Sequence, residues 1–504
     1  MIAMELNYDV ALQKHEFDAM YLKLNSDQQA AFIAILQYVN ADQGKCFFVD
    51  GYGGIGKTFL WQVLCLKLRS EKKIVLCVAS SRIAALLMAE GRTAHSRFYI
   101  PIDCDSTSTC HIDQGSELAQ LLQKTSLIIW DEACMSHKHN IEAVDRTLRN
   151  ILRIKDRRSA ERTFGGLTIV FGGDFRQTLL VVPKGTRNQI LNASIKKSYI
   201  WEHIIVLKLT QNMRLRSSMA ESESESEEIS TFSSWILQTG DGINSNVFGE
   251  STIKIPSELC IEPIHDPISD VVNSTYPDLS TCYSDYKYLV ERAILAPHHE
   301  AVSPVNSQVL LEFPGEPRCY LSSDSIEVDP GQPNIMESDY STEFLNSLKV
   351  GNFPDHELKL KIGCPVILLR NLDQSIGLVN GTRLVVTKMG SWFIEVQILT
   401  GTSIGERVFL PRLKLSERYK SLHFTLVRRQ YPIALSFAMT INKGQGQTLH
   451  HVGLYLHKQV FCHGQLYVAL SRVTRKAGIK IYSCNTNGEH TLTMQNVVYK
   501  EILD

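Results

Sequence analysis

Eight residues, Gly51 to Thr58, constrain this chain more than any other segment. They read Gly-Tyr-Gly-Gly-Ile-Gly-Lys-Thr, follow the apolar run Cys46–Val49, and precede apolar residues that recur at helical spacing from Phe59 onward. A strand, a glycine-rich loop and a helix in this order form a cradle for phosphate groups. Glycine lets the backbone approach the phosphates, and the helix N-terminus adds partial positive charge. The segment therefore predicts a nucleoside triphosphate site.

Each part of this loop has an expected task. Lys57 is expected to reach the β- and γ-phosphate oxygens, and the hydroxyl group of Thr58 to ligate Mg²⁺. Backbone groups along the loop supply the remaining contacts, from Gly51, Gly53, Gly54, Ile55 and Gly56. An ordinary glycine-rich turn is the alternative, and the flanking strand and helix patterns argue against it.

Composition excludes several other classes of protein. With 504 residues, 44% of them hydrophobic and 21% charged, the chain has the profile of a globular protein with more than one domain. The longest apolar run, 74–89, is interrupted by Ser80, Ser81 and Arg82, so no membrane span is expected. Nothing near Met1 resembles a signal peptide.

Charge and cysteine content bear on partners and compartment. The net charge of −1 means that a nucleic acid partner cannot be inferred from overall basicity and would have to be held by local grooves and loops. The twelve cysteines include no Cys-x-x-Cys pair. This pattern argues against a structural zinc site and favours reduced thiols in the cytosol or nucleus, of which we expect the nucleus.

Apolar runs without alternation predict parallel strands that are covered on both faces. Helical patterns such as Thr58–Arg69 and Asn140–Ile154 separate several of them, so a doubly wound α/β sheet is expected. The predicted strands are Cys46–Val49, Ile74–Ala79, Leu127–Trp130, Leu167–Phe171, Ile204–Leu209 and Ala293–Ala296.

Two later segments differ in composition from this framework. Residues 216–230 are rich in alternating Glu and Ser and are expected to form a mobile surface loop, a plain linker rather than a regulatory tail. Residues 357–430 contain short strand-like runs and the turn-forming pair Asn380-Gly381, which predict a small β-barrel inserted into the α/β framework.

Candidate catalytic residues follow the predicted strands. Asp131 and Glu132 come directly after Leu127–Trp130, where an Asp can hold Mg²⁺ and the next carboxylate can activate water. Gln177 follows Leu167–Phe171 and is a candidate for sensing the γ-phosphate. The alternative is a loop glutamine that bonds to solvent, and spacing alone does not distinguish the two. Arg214 and Arg472 are candidates for stabilising the charge on a transferred phosphoryl group. The alternative for each is an ordinary surface arginine.

Taken together, these motifs resemble the PIF-type (petite integration frequency) DNA helicases, and most of all the helicase region of Helitron transposons. The likeness extends from about residue 24 to the C-terminus. It rests on several blocks, among them Leu24–Gln28, Gly51–Thr58, Val78–Ala85, Gly91–Phe98, Trp130–Ala133, Gly173–Gln177, Leu209–Arg214, Leu360–Asn371, Ala438–Thr448 and Gln465–Arg472.

The resemblance implies two RecA-like domains, at 1–210 and 211–504, that hydrolyse ATP between them and move 5′ to 3′ on single-stranded DNA. It implies that Gln28 contacts the adenine, that Arg214 is an arginine finger and that Arg472 reaches the γ-phosphate. An insertion at about 95–125 is expected to separate the strands of tailed or structured duplexes. DNA repair, recombination, telomere maintenance and transposon replication are the pathways that the family suggests.

The resemblance also implies which residues meet DNA. They are Thr93, His95, Ser96, Thr440, Lys443 and Gln445. Hydroxyl and cationic groups suit phosphate oxygens, and the rings of His95 and Phe98 are candidates for base stacking; a structural role for His95 is the alternative.

Some positions depart from the family pattern, notably Arg82, Gly444 and the pair His298-His299. These departures argue against efficient coupling to DNA more than they argue against ATP hydrolysis. The alternatives are therefore an attenuated single-stranded-DNA-binding ATPase, a P-loop enzyme of another class, and a non-enzymatic DNA-binding relic.

Overall fold

Two structural units divide the chain. The computed structural model describes residues 1–211, 213, 223–244, 251–328, 340–349, 351, 353–401, 403–419 and 424–503. Unit 1 comprises Met1–Asn246, Cys462–Ser471 and Asn496–Asp504, and unit 2 comprises Val247–Phe461 and Arg472–Gln495. Each unit contains its own parallel sheet.

In the described part of unit 1, parallel strands form one six-stranded sheet in the order β3-β2-β4-β5-β1-β6. Alternate residues of β1 enter different apolar clusters: Phe48 packs with Trp130 and Phe171, whereas Phe47 packs with other apolar residues on the opposite face. Both faces are covered, as the unalternating runs predict. The strands are β1 (Cys46–Asp50), β2 (Ile74–Ala79), β3 (Arg92–Thr93), β4 (Thr125–Asp131), β5 (Thr168–Gly173) and β6 (Ile204–Lys208).

Helices cover this sheet and end close to the positions expected from the sequence. The predicted helices at 58–69 and 140–154 are observed at Lys57–Ser70 and Lys138–Leu152. Within the described residues, the other α-helices of unit 1 are Ile2–Glu5, Val10–Tyr21, Ser26–Ala41, Arg82–Leu86, Ala94–Phe98, Glu117–Leu122, Arg187–Ala193, Glu223–Gly240 and Gln465–Leu470.

The acidic stretch at 216–230 is not a loop along its whole length. Residues 223–230 begin the helix Glu223–Gly240, so the loop prediction is wrong for them, while 216–222 lie outside the described residues. The helix forms because Ile229, Phe232 and Ile236 recur on one face and are buried. This helix packs on Gln465–Leu470, so residues 223–244 group with unit 1, whereas the sequence places the domain boundary at 210.

Unit 2 combines a parallel sheet with antiparallel strands. β8, confirmed at Arg292–Ala296, lies in a four-stranded sheet of order β19-β8-β20-β21. Its strands are β8, β19 (Ala438–Thr440), β20 (His451–Leu456) and β21 (Ile479–Ser483), and a small pair joins β7 (Thr252–Lys254) to β22 (Thr493–Gln495). The α-helices are Pro267–Thr275, Leu279–Cys282, Tyr286–Val290, His299–Glu312 and Thr342–Ser347.

The strands between β8 and β19 form the barrel-like insertion. They pair antiparallel as β15-β14-β13-β12-β18, β10-β17-β16 and β11-β9. The insertion begins earlier than residue 357, because two of its strands precede that point. Its strands are β9 (Arg318–Leu321), β10 (Ser323–Val328), β11 (Glu357–Leu360), β12 (Pro365–Leu368), β13 (Arg383–Met389), β14 (Phe393–Ile398), β15 (Arg407–Pro411), β16 (Leu413–Tyr419), β17 (Phe424–Gln430) and β18 (Ile433–Leu435).

Candidate functional site

The glycine-rich loop of unit 1 connects strand β1, which lies between β5 and β6, to the helix Lys57–Ser70. Gly54 and Gly56 have φ angles of 94° and 84°, a left-handed region that glycine enters without cost. A Cβ atom on Gly56 would also lie 2.4 Å from Nε2 of Gln28. The turn therefore requires glycine at this position for two independent reasons.

Gln28 supports the loop from below and is fully buried. Its Nε2 donates to the carbonyl oxygens of Ile55 and Gly56, at 3.1 and 3.3 Å, and its Oε1 accepts from the backbone N–H of Asn25 at 3.0 Å. The side-chain oxygen of Asn25 in turn accepts from the N–H of Gln28, which completes a capping box for the helix Ser26–Ala41. Contact with adenine stays a prediction, because here both ends of the Gln28 amide already bond within the protein.

Lys57 and Thr58 occupy the first turn of the helix that follows the loop. Nζ of Lys57 donates a hydrogen bond to the carbonyl oxygen of Gly51, so the ammonium group already lies against the loop. Thr58 is half-buried. Both side chains are where the motif predicts them, at the start of the helix and beside the glycines.

Asp131 ends strand β4 and is almost fully buried. Burial raises the pKa of its carboxyl group, and the charge of Lys57 opposes that rise. Gly172 on the neighbouring strand leaves the space that the carboxylate needs, since a Cβ atom there would lie 2.6 Å from Oδ1. A hard, desolvated carboxylate and the Thr58 hydroxyl fit Mg²⁺, whose charge would offset the burial cost.

Glu132, the next residue, has a left-handed backbone with φ 53° and ψ 38°. For a residue with a Cβ atom, this conformation costs on the order of 1–3 kcal/mol and occurs preferentially at functional sites. Its N–H bonds to Oδ1 of Asp131 at 3.0 Å, which couples the two carboxylate residues.

The loop Asp174–Gln177 follows β5 at the same edge of the sheet. Oδ1 of the buried Asp174 accepts from the N–H of Arg176 at 3.1 Å, and Oδ2 accepts from Nε2 of Gln177 at 3.3 Å. Gln177 is therefore buried and oriented by a carboxylate. The solvated-loop alternative for Gln177 is wrong.

A segment distant in sequence holds this loop in place. The hydroxyl group of Tyr467 donates to Oδ2 of Asp174 at 2.8 Å. Gly464 lies directly against the loop backbone, since a Cβ atom there would be 2.3 Å from the carbonyl oxygen of Arg176. Sequence reasoning missed both residues; the glycine that precedes the helix Gln465–Leu470 was the only available signal.

His463 adds a third contact to the same loop. Its Nδ1 accepts from the N–H of Tyr499 at 2.8 Å, so Nε2 carries the proton and donates to the carbonyl oxygen of Phe175 at 2.7 Å. Burial lowers the pKa of His463, although that carbonyl and the Asp174 carboxylate oppose the shift. The ring is therefore held neutral at pH 7.

Unit 2 brings its predicted residues together around one loop. Thr440 ends β19, Lys443 lies in the short 3₁₀ turn Ile441–Gly444, and Gln445 is buried next to it. Nη1 of the buried Arg472 donates to the carbonyl oxygens of Gly444 and Gln447, at 3.3 and 3.0 Å. Arg472 thus supports the same loop on which Thr440 and Lys443 lie.

The pair His298-His299 lies beside this loop. Burial lowers the pKa of Lys443, and burial together with the charge of Lys443 lowers the pKa of His299. The ring of His298 contacts that of Phe461, with centroids 4.6 Å apart. Gly444 has little free space, because a Cβ atom would lie 3.3 Å from Leu295, so a serine there would require a small adjustment.

The remaining predicted DNA contacts lie in unit 1. Thr93 caps the helix Ala94–Phe98 by accepting from the N–H of Ser96, and His95 is exposed, 3.4 Å from Asn140. The stacking prediction for Phe98 is wrong: its ring is 1% exposed and packs on Trp130 in the core. Arg214 lies outside the described residues.

Among the described residues, no cluster of three or more His, Cys, Asp or Glu side chains is arranged to hold a metal ion. No helix within the described ranges has the length and apolar character to cross a membrane.

The parallel sheets and the phosphate-binding loop define a P-loop protein with two RecA-like α/β units. The model of the PIF1-like helicase family matches residues 23–248, and the model of the DNA helicase Pif1 2B domain matches residues 343–389, inside the antiparallel insertion. The chain belongs to the PIF1-like helicase family.

Curated relatives match most of the chain at modest identity. ATP-dependent DNA helicase PIF1 of Danio rerio is 28% identical over 91% of this chain and 61% of its own length. ATP-dependent DNA helicase Pif1 of Psychrobacter sp. is 24% identical over 88% of this chain and 66% of its length. The chain thus spans less than two thirds of these relatives, whereas it covers 88% of the Pif1 of Campylobacter jejuni, at 24% identity.

Solved structures show the same fold. A Bacteroides Pif1 helicase in complex with ADP-AlF3 and single-stranded DNA superposes with a TM-score of 0.63 at 22% identity, covering 95% of this chain and 96% of that one. The Candida albicans Pif1 helicase gives 0.61 at 21% identity, over 95% and 98% of the two chains.

Proposed function

We propose that this protein is an ATP-dependent DNA helicase that translocates on single-stranded DNA and unwinds duplex DNA. One arrangement carries the proposal: the phosphate-binding loop, Asp131 and Gln177 follow strands β1, β4 and β5, which are neighbours in one parallel sheet. Ligands of such sheets bind at the carboxyl ends of the strands. Family membership supports ATP as the fuel and DNA as the track.

In the proposed reaction, water attacks the γ-phosphorus of ATP, the bond to the β–γ bridging oxygen breaks, and ADP and phosphate leave. Glu132 accepts the proton of the water, Lys57 binds the phosphate oxygens, and Gln177 orients the water. Arg472 supplies positive charge to the transferred group. Mg²⁺, when bound, would be held by Thr58 and Asp131 and would neutralise phosphate charge.

DNA contacts form the second part of the proposal. Thr93 and Ser96 of unit 1 and Thr440, Lys443 and Gln445 of unit 2 are proposed to contact the strand, with His95 as a stacking residue. The desolvated ammonium group of Lys443 supports this assignment, since a phosphate would stabilise its charged form.

Strand separation is assigned to the segment at about 95–125. This segment is anchored, because Arg146 donates to the carbonyl oxygen of Ser108 at 2.9 Å and Thr147 accepts from the N–H of Cys110 at 2.9 Å. Ile102 projects from it and is 93% exposed. Shortening the segment should abolish unwinding and spare hydrolysis stimulated by single-stranded DNA; loss of both activities would contradict the assignment.

The primary test measures ATP hydrolysis with and without single-stranded DNA, followed by unwinding of duplexes with 5′ or 3′ tails. We expect DNA to accelerate hydrolysis and only the 5′-tailed duplex to open. Lys57→Ala should abolish hydrolysis and retain strand binding. Hydrolysis insensitive to DNA would indicate a P-loop enzyme of another class, and stimulation without unwinding would indicate the attenuated ATPase.

We propose a nuclear site of action in genome maintenance or in the replication of a Helitron-like transposon. Relatives occur in both bacteria and vertebrates, so family membership is compatible with more than one compartment. Imaging of the tagged full chain would test this assignment.

A further inference from the structure

An exposed aromatic hairpin lies at one end of the antiparallel insertion in unit 2. Strands β13 and β14 are joined by a tight turn, Gly390–Trp392, which we call the hairpin tip. The turn closes with a 3.0 Å hydrogen bond from the N–H of Gly390 to the carbonyl oxygen of Phe393. Trp392 is 84% exposed, an unusual position for the largest apolar side chain.

The hairpin tip is rigid in spite of this exposure. Arg318, on β9, donates to the carbonyl oxygen of Met389 at 2.7 Å and to the hydroxyl group of Ser391 at 3.0 Å. The hydroxyl group of Tyr320 donates to the carbonyl oxygen of Gly390 at 2.8 Å. Two donors to backbone carbonyl groups and one to the Ser391 side chain thus hold the turn that carries Trp392. Stacking of a ligand on the indole would therefore cost the protein little backbone conformational entropy.

Two further aromatic rings extend the surface behind the tip. Phe393 and Phe409 lie on adjacent strands, are both exposed, and meet edge to face with centroids 5.1 Å apart. On the strands themselves, Ile394 and Leu410 face the core. The outward aromatics are therefore additional to those that stabilise the barrel.

The charge beside these rings is positive. Arg318 and Arg412 flank the ring of Tyr320 at 5.3 and 5.8 Å, and within the described residues neither forms an ion pair with a carboxylate. Glu395, the carboxylate between the strands, is shared by Lys388 at 3.1 Å and Arg407 at 3.9 Å. Its one negative charge therefore faces two cations.

Exposed aromatic rings next to unneutralised guanidinium groups match the chemistry of a polynucleotide single strand. Every base can stack on an aromatic face, and guanidinium groups suit phosphate oxygens. We propose that the hairpin tip binds single-stranded DNA, with a base stacked on Trp392 and the adjoining phosphates at Arg318 and Arg412. This proposal rests on the proposed function, because it assumes that the chain works on DNA.

Single-stranded DNA is favoured over an apolar peptide or a second copy of the chain by this charge. An apolar peptide would offer no negative charge to two guanidinium groups that lack a counter-charge. In a self-association surface, the cations Arg318, Arg412, Lys388 and Arg407 would face the same four cations of a second copy. Because Glu395 is the one carboxylate among the described residues that pairs with any of them, this arrangement is unfavourable. The paired strands of a duplex bury their base faces, so they would leave the indole without a partner.

The test compares oligothymidylate binding by the full chain and by its variants, using fluorescence anisotropy. Trp392→Ala should weaken binding about tenfold, and Phe409→Ala less. Trp392→Phe should retain most of the affinity and lose the quenching of tryptophan emission that accompanies binding. Ile404→Ala is the matched control, since Ile404 is 67% exposed in the loop that follows the other end of β14 and should have no effect.

Hydrolysis measurements separate this inference from the proposed function. With Trp392→Ala, kcat at saturating DNA should equal that of the unaltered protein, and only the DNA concentration for half-maximal stimulation should rise. Stimulated hydrolysis with unchanged affinity in Trp392→Ala would overturn the inference alone. An unaltered protein that DNA neither binds nor stimulates would overturn the proposed function. A variant that changes the sedimentation of the free protein, and not DNA affinity, would assign the surface to self-association.

Discussion

The hydroxyl group of Tyr467 donates a 2.8 Å hydrogen bond to Oδ2 of Asp174, and both side chains are buried. The same oxygen accepts from Nε2 of Gln177, so one carboxylate joins the helix Gln465–Leu470 to the proposed γ-phosphate sensor. The Asp174 carboxylate therefore fixes the amide of Gln177 relative to the helix Gln465–Leu470.

Removing this hydroxyl group should slow catalysis more than it weakens nucleotide binding. In Tyr467→Phe, the carboxylate of Asp174 would lose the hydrogen bond that the Tyr467 hydroxyl group donates, worth about 1.5–3 kcal/mol, and Gln177 would be less firmly oriented. We expect kcat for DNA-stimulated hydrolysis to fall about tenfold while KM for ATP stays nearly constant.

Tyr276→Phe provides the matched control for this change. Tyr276 is also buried, and its hydroxyl group donates at 2.8 Å to the carbonyl oxygen of Phe437 in unit 2. Both variants should lose thermal stability, and only Tyr467→Phe should lose kcat. An equal loss of kcat in both would mean that Tyr467 acts through stability alone.

The amide of Gln28 distinguishes support of the loop from recognition of the base. Gln28→Met keeps the size of the side chain and leaves the carbonyl groups of Ile55 and Gly56 without their donor. Because the amide is already occupied, we expect KM to rise about tenfold for ATP and equally for GTP. A rise restricted to ATP would instead establish the adenine contact that the family resemblance implies.

Patterns within short stretches of sequence predicted much of this architecture. They did not predict contacts between residues that lie far apart in the sequence. Strand β1, its glycines and the following helix are contiguous, so apolar spacing and glycine content identify them. The bond between Tyr467 and Asp174 joins residues 293 positions apart, which spacing cannot reveal. Phe98 failed as a stacking residue for the same reason, since only the folded sheet places Trp130 beside it.

The barrel-like insertion shows the same limit. Short runs after residue 357 predicted its central strands, whereas β9 and β10 lie far upstream and join through pairings with β11 and β17. The pair Asn380-Gly381 predicted a hairpin-type turn. Strands β12 and β13 do pair, and a connection of residues 369–382 joins them. Turn chemistry identified the bend at Gly381 and not the length of the loop.

Acid should destabilise the protein through His463. The folded state holds this ring neutral, so below about pH 6.5, the ordinary histidine pKa, the unfolded chain binds more protons than the folded one. Protonating Nδ1 would also oppose a second N–H to that of Tyr499. The free energy of unfolding should therefore decrease as the pH is lowered through this range. His463 contributes at most about 1.4 kcal/mol per pH unit to that decrease.

Comparison with His463→Gln isolates this contribution, since glutamine offers a donor and an acceptor and does not titrate. Other histidines with lowered pKa values, including His95 and His299, contribute equally to both proteins. Melting temperatures measured from pH 5 to pH 8 should show a smaller slope for the variant. Parallel curves would mean that His463 is not the group that responds to acid.

Arg472 combines a structural contact with a proposed catalytic charge, and the two can be separated. Arg472→Lys keeps one positive charge and can reach a carbonyl oxygen of the 444–447 loop, but it lacks the planar fork that suits a phosphoryl group. We expect the melting temperature to change little and kcat to fall on the order of a hundredfold, with KM for ATP nearly constant. Arg475→Lys, three residues further on and exposed, should leave kcat unchanged. If Arg472→Lys keeps full kcat, a fixed cationic charge is sufficient and the bidentate contact is not part of the reaction. If the substitution unfolds the loop instead, proteolysis near residue 445 will become faster and activity will be lost with it.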